Sequence, residues 1–200
     1  VIGVPGRYTT PQVTALSIDG QYDCKRVTAP SSLAGALISE FKELSLALAE
    51  ALNLNGIMDV EVILHEDELK VIEIDARLPS QTPTAVYWST GLNMVQLLGD
   101  LFLNRQTRIQ PNSNHEYGVI YEHVRKASNR LEIAGEHMMS GADALHILPD
   151  FFGTDEAITN YAVGRKDWVA TLIVTEKNME AAWDRRNSVI EDLKKQFNLN

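Results

Sequence analysis

Two neighbouring runs decide the fold: Gly56-Ile-Met-Asp-Val-Glu-Val-Ile-Leu64 and Leu69-Lys-Val-Ile-Glu-Ile-Asp-Ala-Arg77. Both are rich in β-branched residues, and a short polar link, His65–Glu68, separates them, which predicts a β-hairpin. Side chains alternate faces along a strand, so Asp59 shares a face with Glu61, and Glu73 shares one with Asp75. If Glu61 lies opposite Glu73, all four carboxylates gather on one face. That register requires paired residue numbers with an even sum, and hence a link of odd length such as Glu66–Glu68. A one-residue slip would send the two acid pairs to opposite faces.

Two carboxylates about 4 Å apart repel by about 4 kcal/mol at an effective dielectric of 20. Such a cluster raises its own pKa values or recruits cations. Hard oxygen donors without His or Cys suit Mg²⁺ or Mn²⁺ rather than Zn²⁺. Mg²⁺ takes one or two carboxylates and then bridges to substrate phosphates. Arg77, two residues past Asp75, offers a planar fork for phosphate charge. The same alternation also describes an ordinary solvated hairpin face, and spacing leaves both readings open.

Upstream, Leu33, Leu37, Phe41, Leu44, Leu48 and Leu52 form one apolar stripe at steps of three and four. Ser31 or Ser32 could cap that helix, and Asn53-Leu-Asn-Gly56 ends it. The first 30 residues read as extended, with a turn at Asp19-Gly20. Downstream, Ala76–Pro83 reads as a loop. Thr84–Asn104 is helical and broken near Gly91, with Leu92, Val95, Gln96 and Gly99 spaced to face a core. A polar stretch at 106–114 suggests a linker. Beyond it, Tyr117–Val124, Arg130–His137 and Trp168–Thr175 read as strands, and Met179–Phe197 as an amphipathic helix. Strands and helices without βαβ regularity predict an α+β fold, divided into a larger part over 1–105 and a small α+β subdomain over 106–200.

At 200 residues, 44% hydrophobic and 22% charged, the chain can bury a core, which excludes disorder. Eighteen Lys+Arg against 27 Asp+Glu leave a net charge of −9, which disfavours nucleic acid and anionic membranes. No apolar run approaches the roughly 18 residues of a membrane span. The single cysteine, Cys24, excludes an intrachain disulfide and suits a cytoplasmic location. The chain opens at Val1, already in a strand-like stretch, and the expectation is a piece of something longer.

Met58–Glu61, the hairpin and Val71–Arg77 resemble the C-terminal metal-binding half of the ATP-grasp ligases. Asp75 stands where most members carry Asn. Gly56–Glu61, the run Glu73-Ile-Asp-Ala-Arg-Leu-Pro-Ser-Gln-Thr-Pro-Thr84 and Ser89-Thr-Gly-Leu-Asn93 are similar to the branch serving pyrrolysine biosynthesis. So are Tyr22-Asp-Cys24 and Tyr121-Glu-His123. That branch joins the carboxylate of 3-methyl-D-ornithine to the side-chain amine of L-lysine through an acyl phosphate, using ATP and Mg²⁺. The resemblance implies a fold that is the C-terminal half of an ATP-grasp domain, an antiparallel sheet with flanking helices. It implies Glu61, Glu73 and Asp75 as metal ligands, with Glu61, Glu73 and Arg77 serving the nucleotide. Arg77 also contacts the phosphate or acyl phosphate as the catalytic cation. Asp59, Asp75, Ser80, Thr82 and Glu122 would bind substrate, with Asp59 and Glu122 receiving ammonium groups. In the family a Rossmann-like domain and the lysine-bearing half of the ATP clamp lie outside these motifs, so the chain alone is expected to fold without ligating.

The residues themselves leave rivals open. These are another ATP-grasp amino-acid ligase or carboxylase, a metal-dependent nuclease built on Asp59, Glu73 and Asp75, and a non-catalytic binding domain. Cys24 reads as a small buried hydrophobe, the five histidines lack ligand spacing, and Trp88, Trp168 and Trp183 read as core.

Overall fold

A computed structural model describes residues 1–18, 23–103, 105 and 117–199. The expected turn at Asp19-Gly20, Tyr22 and the polar stretch at 106–114 lie outside the described residues. Along the chain run β1 (Ile2–Val4), β2 (Arg7–Thr9), β3 (Thr14–Ile18), β4 (Asp23–Ala29) and α1 (Gly35–Ala51). Then come β5 (Gly56–Ile57), β6 (Asp59–His65), β7 (Glu68–Asp75), α2 (Thr82–Thr90) and α3 (Met94–Phe102). The remainder is β8 (Gly118–Ala127), β9 (Arg130–Ile133), α4 (His137–Ser140), β10 (His146–Pro149), β11 (Glu156–Thr159), β12 (Trp168–Glu176) and α5 (Met179–Phe197). The class is α+β with antiparallel pairing throughout.

The chain forms two compact units: Val1–Val13 with Ser31–Asn114, and Thr14–Pro30 with His115–Asn200. The division runs differently from a single cut after residue 105. β3 pairs β4 and β4 pairs β8, so both strands are hydrogen-bonded into the second unit's sheet.

In the first unit β1 lies between β2 and β5. Helix α1 buries Ser45 and Ala49, with Phe41 and Leu48 flanking them against Met58 and Val60. Small residues, not the leucine stripe, line the centre of that contact, and Leu52 stays exposed. The helix starts at Gly35 after Ala34, which makes no side-chain cap, so neither Ser31 nor Ser32 fills that role. Gly91 ends α2 at φ 74, and the Asn93 side chain accepts from Gln96 N–H at 2.9 Å to open α3. That cap sets the phase of α3: Met94 and Leu97 are buried with Leu98 and Leu101 beside them, while Val95 is exposed.

In the second unit the sheet runs β10-β11-β12-β8-β4-β3, with β9 on β8. Helix α5 lays Ala182, Val189, Ile190 and Leu193 against Val124, Ala170, Leu172 and Val174, as its sequence period predicts. Asn178 caps it, accepting from Ala181 N–H at 2.8 Å. Trp168 sits among Phe151, Tyr161 and Phe197. The strand expected over Arg130–His137 is shorter: it stops at Ile133, and His137 begins a helix instead. β10 and β11, four residues each, are too short to stand out by periodicity.

Candidate functional site

The hairpin β6–β7 places Asp59 opposite Asp75 and Glu61 opposite Glu73. All four carboxylates therefore share one face. The route to this register differs from the expected odd link. Glu66 and Asp67 make a two-residue turn with both backbones left-handed (φ 50 and 61), and His65 pairs Glu68. Both central residues of such a turn need positive φ, which matches the right-handed twist of the flanking strands. Left alone, that turn would give the odd-sum register and split the acids. The pairing instead shifts between Glu61 and Val62, where Ile72 is the extra residue of a β-bulge. The bulge brings Glu73 and Asp75 round to the face of Asp59 and Glu61.

Electrostatics follow from this crowding. Partial burial pushes the Asp59 carboxyl above the usual range, and the Arg77 guanidinium opposes that rise. Glu61 is also raised, by burial first and then by the charges of Asp59 and Glu73. Arg77 donates from Nε to Asp75 at 2.8 Å, and its Nη2 lies 2.7 Å from the same oxygen. The expected trio Glu61, Glu73 and Asp75 is accordingly not a preformed cage. Among the described residues no three His, Cys, Asp or Glu side chains converge on one metal position. Glu61 and Glu73, directly opposite, still fit Mg²⁺, which takes one or two carboxylates and completes its shell with water and phosphate oxygens. Asp75 is engaged in orienting Arg77.

Beyond the hairpin, Pro79 is buried and Ser80 exposed. Thr82 is the first residue of α2, which begins two residues before the start at Thr84 expected after a loop through Pro83. Ser80 and Thr82 thus stand at a helix N-terminus, where unpaired backbone donors and the helix dipole favour negative charge.

Glu122 is placed otherwise than expected. It lies on β8 in the second unit, its side chain 0% exposed. Arg26 Nε donates to one oxygen at 2.5 Å, and Arg186 Nε donates to the other at 2.7 Å. A carboxylate with both oxygens on guanidiniums does not present a free anion to a substrate ammonium. Sequence reading missed this trio because its members lie 96 and 64 residues apart. Trp183, expected in the core, is half-buried, with the Arg26 guanidinium 4.7 Å above its ring. Also missed was Asp23, whose carboxylate accepts from the backbone N–H of His137 at 3.0 Å and lies 2.8 Å from its Nδ1. A side chain at Gly135 would put its Cβ 1.8 Å from that carboxylate, so the close approach requires glycine. Cys24 is half-buried, with Sγ 3.4 Å from Arg26 O.

No family model matches the chain. Among solved structures, carboxyaminoimidazole ribonucleotide synthase from Aspergillus clavatus, complexed with ATP, superposes with a TM-score of 0.60 at 18% identity. The match covers 97% of this chain and 49% of that one. Phosphoribosylglycinamide synthetase from Anaerococcus prevotii gives 0.59 at 14% identity, over 90% and 47%. The fold is a partial ATP-grasp fold. In sequence, the 3-methyl-D-ornithine–L-lysine ligase of Methanosarcina mazei is 38% identical over 199 residues, 98% of this chain and 51% of the relative. That of Methanosarcina acetivorans is 36% identical over 200 residues, 98% and 52%. The chain spans about half the length of these relatives and matches their C-terminal portion. Within the ATP-grasp fold of this chain, the carboxylate face belongs to the first unit and the Glu122 trio to the second.

Proposed function

We propose that this chain is the metal- and phosphate-binding portion of an ATP- and Mg²⁺-dependent ligase that joins the carboxylate of 3-methyl-D-ornithine to the side-chain amine of L-lysine in pyrrolysine biosynthesis. The observation that carries this reading is the 38% identity to such a ligase over 98% of the chain. The alignment of four carboxylates and Arg77 on one hairpin supports the phosphate chemistry. Mg²⁺ held by this face would supply the charge that neutralises the triphosphate.

The residues then divide the work. Glu61 and Glu73 supply the two opposed carboxylates that hold the ion. Arg77, its fork fixed by Asp75, stabilises the transferring phosphoryl group and the acyl phosphate, with two donors matched to phosphate oxygens. Asp59 receives a substrate ammonium, and Ser80 and Thr82 position a carboxylate at the start of α2. The substrate carboxylate attacks the γ-phosphorus and ADP leaves. The lysine amine then attacks the acyl carbon and inorganic phosphate leaves with the bond pair. Such chemistry is positioning and charge stabilisation, so no nucleophilic side chain is required.

Mass spectrometry on a full-length protein carrying this chain tests the reading. With ATP, Mg²⁺ and both amino acids, the expected result is one amide product with stoichiometric ADP and phosphate. ATP hydrolysis without amide, or amide formation with a different amino acid in preference, overturns the substrate assignment.

A further inference from the structure

Glu122 brings one negative charge to a position fully out of water, and two arginines close on it. Arg26 uses Nε and Nη2 on one oxygen; Arg186 uses Nε and Nη2, the latter at 2.6 Å, on the other. The trio therefore holds one positive charge in excess. Its cations are themselves largely withdrawn from solvent, with side chains 15% and 12% exposed. Among the described residues no second carboxylate pairs with either guanidinium. The remaining contacts are the Trp183 ring, 4.7 Å from Arg26 and 6.0 Å from Arg186, and Asn187 Oδ1, 3.0 Å from Arg186 Nη1. An unmatched charge held away from water is costly unless an ion of opposite sign completes it. Neutralising Glu122 alone would need one arginine. Glu122 takes the Nε and Nη2 edge of each arginine, so the donors left to suit an oxyanion are the remaining Nη protons. The indole shields one side of Arg26 from water, so an anion there meets a cation already partly stripped of solvent.

We propose that Arg26 and Arg186, held by Glu122 and backed by Trp183, form a binding site for the oxyanion group of a small ligand, a carboxylate or a phosphate. The site is a feature of the second unit alone and does not rest on the ligase reading. It reverses the sign of the ligand group first expected at Glu122: the charge balance calls for an anion, not an ammonium.

The test is an NMR titration of the ¹⁵N-labelled 200-residue chain, following the arginine Nε–H resonances. Sodium phosphate and sodium acetate are added separately against sodium chloride at matched ionic strength. The expected result is a saturable shift of Arg26 and Arg186 with one of the two anions, and which one saturates names the source. Glu122→Gln raises the excess charge to two and is expected to tighten binding at least threefold. Arg26→Gln removes the excess and is expected to weaken it at least tenfold. Linear, unsaturated shifts with both anions in the unsubstituted chain overturn the site. So does unchanged affinity in a folded Glu122→Gln chain, the result expected of a merely structural trio. Should Arg26→Gln fail to fold, the unsubstituted chain and Glu122→Gln decide between them.

Discussion

At the scale of single residues, charge governs the carboxylate face. Glu61 is held above the ordinary carboxylate range by burial and by Asp59 and Glu73. A carboxylate raised on folding favours the folded state at low pH, and that advantage is lost as pH rises through its folded pKa. At neutral pH the cluster therefore works against stability. Glu73→Gln removes one charge and, on the proposed function, one of the two carboxylates that hold the ion. It is expected to lower the Glu61 pKa, read by ¹³C carboxyl titration, and to hold or raise Tm while ligation by the full-length protein is lost. Asp23 and His137 show both signs of the same linkage. The bond to Asp23 raises the His137 pKa, so its stabilisation is complete below the unfolded value and fades as pH rises through the folded one. Asp23 is lowered: burial pushes its pKa up, and the His137 hydrogen bonds and charge outweigh that push. Its stabilisation is present above its unfolded pKa and fades as pH falls through the folded one. His137→Gln should therefore lose most Tm relative to the parent near pH 5 to 6 and converge with it in mild alkali, as pH-dependent melting would show.

At the scale of elements, the hairpin shows what pattern alone reveals. The alternation of Asp59, Glu61, Glu73 and Asp75 made the shared face legible, because strand periodicity is local. The way the chain achieves it was not legible. Nothing in Glu66-Asp67 announces a turn with two left-handed backbones, and Ile72 looks like any strand residue. Deleting Ile72 should remove the bulge yet keep the four carboxylates on one face, because the two-residue turn then carries Glu61 opposite Glu73 and Asp59 opposite Asp75 in a regular hairpin. Cross-strand NOEs should then still join 61 to 73 and 59 to 75, without the break after Glu61; NOEs joining 60 to 73 would contradict this reading of the bulge. Conversely, Glu66→Asn with Asp67→Gly suits the left-handed turn and should stabilise the chain by roughly 1 kcal/mol. Denaturant melts would register that gain. Helix α5 was legible to its ends because its apolar period is long and it is capped by Asn178. β11 exists because β12 offers it an edge, and β10 because β11 does, which is tertiary information.

At the scale of the whole molecule, the fold class followed from the order of elements, whereas the two units did not. β4 pairs with β8, about a hundred positions away, and no linear reading of composition reveals such a return. The same distance hid the contacts of Glu122 with Arg26 and Arg186. The net charge of −9 disfavours nucleic acid, and among the described residues no helix is long and apolar enough to cross a membrane. The central proposal is that one hairpin face carries the metal. Mn²⁺ added with ATP to the ¹⁵N-labelled chain tests this most directly, through paramagnetic broadening of backbone amides. The expected result is broadening centred on residues 59–61 and 73–77, abolished by Glu61→Gln with Glu73→Gln. Broadening centred elsewhere, or unchanged in that double variant, would contradict it.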